Sequence, residues 1–120
     1  LTASKYKLDN LCVIVDNNHL QIDGTIEEVA GMKHIYEKFR AFGFEVISIH
    51  GNDILDILNA FTLAKNVKGR PTVILANTTK GKGVSFMENK VEWHGKAPNE
   101  EEYKLAMQEL GGEDYEENCN

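Results

Sequence analysis

The chain is 120 residues long, 42% of them hydrophobic, with a formal charge of −6. That length allows one small domain with a real core, and no apolar run approaches the roughly 20 residues that span a bilayer. The acidic balance argues against nucleic acid as a partner, because no surplus of Lys and Arg exists to neutralise phosphates. Cys12 and Cys119 have the spacing of neither a disulfide framework nor a zinc site. No basic-then-apolar signal peptide opens the chain, so a reduced, cytoplasmic setting is expected.

Thr2 to Leu8 read as the last turns of a helix, with Lys5 and Lys7 suited to its C-terminus. Leu11 to Val15 form an unbroken apolar run, the signature of a strand buried on both faces in a parallel sheet covered by helices. The run stops at Asp16, Asn17 and Asn18. The loop past the carboxyl end of such a strand is where open α/β sheets bind ligands. These side-chain oxygens are hard donors that suit Mg²⁺ or Ca²⁺ better than Zn²⁺. The same residue types make ordinary Asx turns, so residue chemistry alone leaves both roles open.

Gly24 breaks the chain, and Thr25 with Glu28 fits a capping box. Ile35, Phe39 and Phe42 then share one helical face, and Gly43 ends that helix as a C′ glycine. Phe44 to Ile49 read as a second strand. His50 follows in the loop, either a candidate acid or base or simply a histidine at a strand end. Asp53 is placed to cap a helix whose apolar residues Ile54, Leu55, Ile57, Leu58, Phe61 and Ala64 form a broad face. After the turn Gly69-Arg70-Pro71, Thr72 to Ala76 is a third strand, again nearly all apolar. Strand–helix–strand–helix–strand is the pattern of crossovers in a parallel α/β sheet flanked by helices.

The loop from Asn77 to Phe86 sets Gly81 and Gly83 among Lys80 and Lys82. Such a loop at a strand's carboxyl end can receive phosphate, although it lacks P-loop spacing; a solvated turn fits these residues at least as well. Trp93-His94-Gly95 can wall a polar ligand or be a plain loop. Asn99 caps a final helix with acids in its first turn, and Tyr103, Leu105, Ala106, Met107 and Leu110 provide its packing face. Residues 111–120 read as a disordered acidic tail.

Several strings, in order, resemble the thiamine-diphosphate-binding domain of transketolases, in the form whose two halves are separate polypeptides. They are Val15-Asp16-Asn17-Asn18 with Leu20-Gln21-Ile22-Asp23-Gly24; Pro71-Thr72-Val73-Ile74 running on to Lys80-Gly81-Lys82-Gly83-Val84-Ser85-Phe86-Met87-Glu88-Asn89; Trp93-His94-Gly95; and Lys96-Ala97-Pro98-Asn99 with Glu101-Glu102-Tyr103. The resemblance covers nearly all of Tyr6 to Leu110. It implies the parallel α/β fold of the diphosphate-binding domain and the transfer of a two-carbon ketol unit from a ketose phosphate to an aldose phosphate. It implies thiamine diphosphate held through Mg²⁺ (or Ca²⁺), with the Asn18 side chain and the Leu20 backbone carbonyl as metal ligands. Lys80 would lie in the cofactor-binding loop, and His94 would reach the diphosphate and the substrate hydroxyls.

The family's Gly-Asp-Gly motif, which supplies a further metal ligand, is expected about one helix upstream and is not in this sequence. Residues 1–110 therefore read as a partial cofactor-binding domain. The pyrimidine-binding domain would come from a separate C-terminal subunit, with sugar phosphates as substrates. The chain alone is expected to be inactive. The family usually has Asp-Gly-His-Asp where this chain has His50-Gly51-Asn52-Asp53. Two other readings are a non-catalytic fragment or assembly module, and part of an enzyme like the deoxyxylulose-phosphate synthases. Apolar surface left uncovered would favour a homo-oligomer.

Overall fold

A computed structural model describes residues 1–21, 24–25 and 34–111. Within them, α1 (Thr2–Lys5) leads into β1 (Cys12–Asn17). A small antiparallel pair follows, β2 (Leu20–Gln21) with β3 (Gly24–Thr25). Next come α2 (Ile35–Ala41), β4 (Glu45–His50), α3 (Ile54–Asn66), β5 (Thr72–Asn77), a 3-10 turn (Val91–His94) and α4 (Glu100–Glu109). Glu28 of the capping box expected with Thr25, and the tail after Gly111, lie outside the described residues.

The three long strands lie in the order β1, β5, β4, and both pairs are parallel. The α/β fold expected from the sequence is therefore the one observed. The register sets Cys12 and Glu45 on either side of Thr72, and Asn17 and His50 on either side of Asn77. All three strands thus end level. β5, in the middle, is buried from Thr72 to Ala76. Val13, Val15, Val46, Val73 and Leu75 share one face and pack with Ile35 and Phe39 of α2 and with Phe44. Side chains alternate along a strand, so Cys12, Ile14 and Ile74 point the other way. Cys12 and Ala64 line one groove, which puts α3 over that second face. The small residues Ala60 and Ala64 are the buried ones on α3, and they let its backbone approach the sheet.

Local signals fix the joints. Gly43, at φ +83°, ends α2 in a Schellman arrangement: its N–H donates to the Arg40 carbonyl, and the Phe44 N–H donates to the Phe39 carbonyl. The rings of Phe39 and Phe44 meet edge to face with centroids 5.4 Å apart, the apolar contact that usually accompanies this motif. Asp53 caps α3 by accepting from the N–H groups of Leu55 and Asp56 at 2.8 and 3.2 Å. Asn99 and Glu102 form a reciprocal capping box on α4.

Three expectations about burial are corrected. β1 is not buried on both faces; exposure alternates along it, and Ile14 is 58% exposed. On α3 the broad apolar face is only partly used, since Ile54, Leu55 and Leu58 remain exposed. On α4, Ala106 is buried while Tyr103, Leu105 and Leu110 stay exposed. The reason is common to all three. An apolar residue can be buried only where a second layer arrives, and β1 is an edge strand with one neighbour among the described residues. No helix among the described residues is long and apolar enough to cross a membrane.

Candidate functional site at the carboxyl rim of the sheet

Because the strands end level, their carboxyl ends make one polar rim. β1 contributes Asp16 and Asn17 and then Asn18; β4 ends at His50, with Gly51 and Asn52 beyond it; β5 ends at Asn77, followed by Thr78 and Thr79. Side chains stitch these ends together. Asn17 Nδ2 donates to Asn77 Oδ1 at 2.8 Å. Asn77 Nδ2 donates to Ser48 Oγ at 3.0 Å and to the Ile49 carbonyl at 3.2 Å. The Thr78 hydroxyl donates to the Asp16 carboxylate. The Thr79 N–H donates to Asn52 Oδ1 at 2.7 Å. Gly51 donates its N–H to the Asn77 carbonyl at 2.8 Å. A Cβ there would lie 2.5 Å from Thr78 Cγ2, so only glycine fits between the strand ends.

Past β1, the chain turns at Asn18. Its Oδ1 accepts from the Leu20 N–H at 3.0 Å, and His19 between them takes the left-handed conformation at φ +60°. This is an Asx turn. The turn role and the donor role are compatible, because a side-chain carbonyl oxygen has two lone pairs and the Leu20 N–H occupies one of them. Among the described residues no three His, Cys, Asp or Glu side chains are grouped to hold a metal ion. The oxygens available at this turn are neutral ones.

Past β5, the glycine loop is a folded structure rather than a loose turn. Gly81 sits at φ +70°, and a Cβ on it would lie 2.7 Å from the Met87 carbonyl oxygen. The Asn89 N–H closes back onto the Lys80 carbonyl at 2.9 Å. Glu88 accepts from the Gly83 N–H at 3.1 Å and pairs with Lys82 at 3.3 Å. These two contacts, the backbone one first, hold its carboxyl below the usual range. Glu109 of α4 accepts from both the hydroxyl and the N–H of Ser85, which lowers its pKa likewise. Lys82 is thus occupied. Lys80, half-buried, forms no ion pair among the described residues.

The 3-10 turn is held by its tryptophan. Trp93 Nε1 donates to the Phe86 carbonyl at 3.2 Å, and the two rings meet edge to face at 5.4 Å. Lys96 lies over the Trp93 ring, 4.1 Å from its centroid. It also pairs with Glu102 at 2.7 Å, which is the main reason that carboxyl titrates below its ordinary value. His94 is exposed at the end of this turn.

The structure therefore joins Asn18 and Leu20 directly and seats Lys80 in the loop leaving the same rim. His94 stays on a separate turn, with no hydrogen bond among the described residues to the other three. Reading the sequence missed Asn52 and Asn77. Their only signal was an amide side chain at a strand end, and its use depends on interstrand register. A groove of about 390 Å³, lined in part by Cys12, Phe61, Ala64 and Lys65, opens at the opposite, amino end of β1.

Residues 1–118 match the family described as transketolase, thiamine diphosphate binding domain. The chain is similar to an apulose-4-phosphate transketolase subunit of Phocaeicola vulgatus, 39% identical over 110 residues, covering 92% of this chain and 39% of that protein. It is also similar to the 6-deoxy-6-sulfo-D-fructose transketolase subunit SqwG of a Clostridium species, 42% identical over 108 residues, covering 90% and 39%. The transketolase of Campylobacter jejuni superposes with a TM-score of 0.84 at 36% identity, over 92% of this chain and 17% of that one. The chain spans about two fifths of the length of the curated relatives named here.

Proposed function

The chain belongs to the transketolase family, in its thiamine-diphosphate-binding domain, and from that premise we propose that it supplies part of the diphosphate- and metal-gripping half of a split transketolase. Such an enzyme transfers a two-carbon ketol unit between sugar phosphates. The single observation that carries this reading is the Asn18–Leu20 turn, built at the carboxyl end of β1 and level with the other strand ends.

The donor set fits part of a Mg²⁺ or Ca²⁺ site. Asn18 Oδ1 keeps a lone pair beyond the one used by Leu20, and the Leu20 backbone carbonyl is a second hard oxygen. Two neutral donors do not balance a divalent charge, so the cofactor's own phosphates and a further carboxylate are needed. Lys80 would add a positive charge toward the diphosphate. His94, with one donor and one acceptor nitrogen, would bond the diphosphate or exchange a proton with a substrate hydroxyl. When bound, thiamine diphosphate supplies the carbanion chemistry, and the protein's task is to orient it and exclude water. The partner in this reading is a separate C-terminal subunit bearing the pyrimidine-binding domain, and the setting is cytoplasmic. These 120 residues alone would not transfer a ketol unit.

Calorimetric titration of thiamine diphosphate with Mg²⁺ tests this. Binding is expected, weakened tenfold or more in Asn18→Ala and less in His94→Ala. A well-folded chain that binds no cofactor would sink the proposal and leave a non-catalytic domain or assembly module, a role to which the exposed apolar residues of α3 are suited.

A further inference from the structure

We propose that Asn77 is a positioning residue for the Asn18–Leu20 turn, a role that rests on the reading above only for its effect on cofactor. Every hydrogen-bonding group of the Asn77 side chain except one lone pair is in use. Its Oδ1 accepts from Asn17, and its Nδ2 donates to both Ser48 and Ile49. That pattern fixes which way the amide faces, since the reverse orientation would set two donors against each other at Asn17 and two acceptors at Ile49. Asn77 is thereby anchored on β4 and reaches across to β1.

The end of β1 needs such a hold. β1 has a strand on one side only among the described residues. The last backbone rung from β5, Thr78 N–H to the Asn17 carbonyl, is long at 3.4 Å. The Asn17–Asn77 bond beside it is 2.8 Å. Side chains rather than the ladder therefore close this end of the strand pair. The very next residue, Asn18, begins the turn, so the direction of its Oδ1 and of the Leu20 carbonyl inherits whatever play Asn17 has. Asn77 touches neither, and acts through Asn17.

Hydrogen exchange of the Leu20 amide in the full chain reads this without any ligand. Asn77→Ala is expected to speed Leu20 exchange about tenfold while leaving the Val73 amide of β5 unchanged. Asn17→Ala, which removes the same bond from the other side, should do likewise, and the double variant should be no worse than either single one. Ser48→Ala, which spares the Asn17–Asn77 bond, should change Leu20 less than twofold. Equal acceleration at Leu20 and Val73 would reduce Asn77 to a general stabiliser, and unchanged Leu20 exchange, or additive effects of the two single variants, would overturn the proposal outright. In the presence of thiamine diphosphate and Mg²⁺, Asn77→Ala should weaken binding several-fold. A wild-type chain that binds no cofactor would defeat the functional reading while the exchange result at Leu20 still decides the role of Asn77.

Discussion

β1 and β5 lie side by side, paired residue for residue, with nearly the same apolar stretch: Cys-Val-Ile-Val in one, Thr-Val-Ile-Leu in the other. Ile14 is nevertheless 58% exposed, and Ile74, its partner across the rung, 2%. The side chains are identical and the neighbours are not. β5 has a strand on each side, α2 across one face and α3 across the other. Among the described residues β1 has one strand beside it, and α3 leaves Ile14 largely uncovered. A continuous apolar run therefore records what a strand is able to bury. Whether it does so is decided by the layer above.

Variants at the paired positions measure that difference. Ile74→Ala should be the most damaging, at about 2–5 kcal/mol, because it removes a buried side chain and leaves a cavity; urea unfolding gives the value, and a loss below about 1 kcal/mol would mean that β5 is less enclosed than its position implies. The loop that continues β5 is nearly as strict. Gly81→Ala combines a positive φ with a clash against the Met87 carbonyl, and about 1–3 kcal/mol is expected from strain of this kind.

The Thr72 hydroxyl is buried with no hydrogen-bond partner among the described residues. Thr72→Val should stabilise the chain by about 1 kcal/mol, visible as a higher melting temperature, because an orphaned polar group is removed at little change of shape.

Acid should act more locally still. Glu88 and Glu109 have folded pKa values lowered by Gly83 and Lys82 and by Ser85 respectively. Their contribution is present above the ordinary carboxylate value, about 4.3, and is lost as pH falls through the lowered folded values. Amide exchange at Val84 should rise in that acid window while Val73 stays protected, and Glu109→Gln should blunt the change. The smallest effect is expected at the exposed member of the isoleucine pair. Ile14→Ser should alter stability by no more than about 0.5 kcal/mol, and light scattering should show less self-association if that surface is sticky in solution.

The elements were legible where their cause is local. Gly43, Asp53 and Asn99 each announce a helix end by their own chemistry, and each occupies the predicted place. The three strands were legible from apolar runs bounded by turn residues. The exposure of β1 and α3 was not, because it depends on which elements lie over them. The turn at Asn18 was half legible: Asx chemistry and the family resemblance pointed to the same residue, and the hydrogen bond to Leu20 shows the turn itself. The stitching by Asn52 and Asn77 could not be read, because it needs the register of strands that are distant in the chain.

The sheet's spatial order, β1–β5–β4, differs from its order along the chain, and this matters while the protein is being made. The central strand is synthesised last. Asn17 and Asn77, which meet across the rim, are 60 residues apart. At typical ribosomal speeds, about 5–20 residues per second, β1 emerges roughly 3–12 s before the strand it pairs with exists. Through that interval its apolar run lacks the strand it pairs with among the described residues. The nascent chain is then most open to wrong pairing or to capture by a chaperone, and slowing translation between Asn18 and Pro71 would lengthen the danger rather than help the fold.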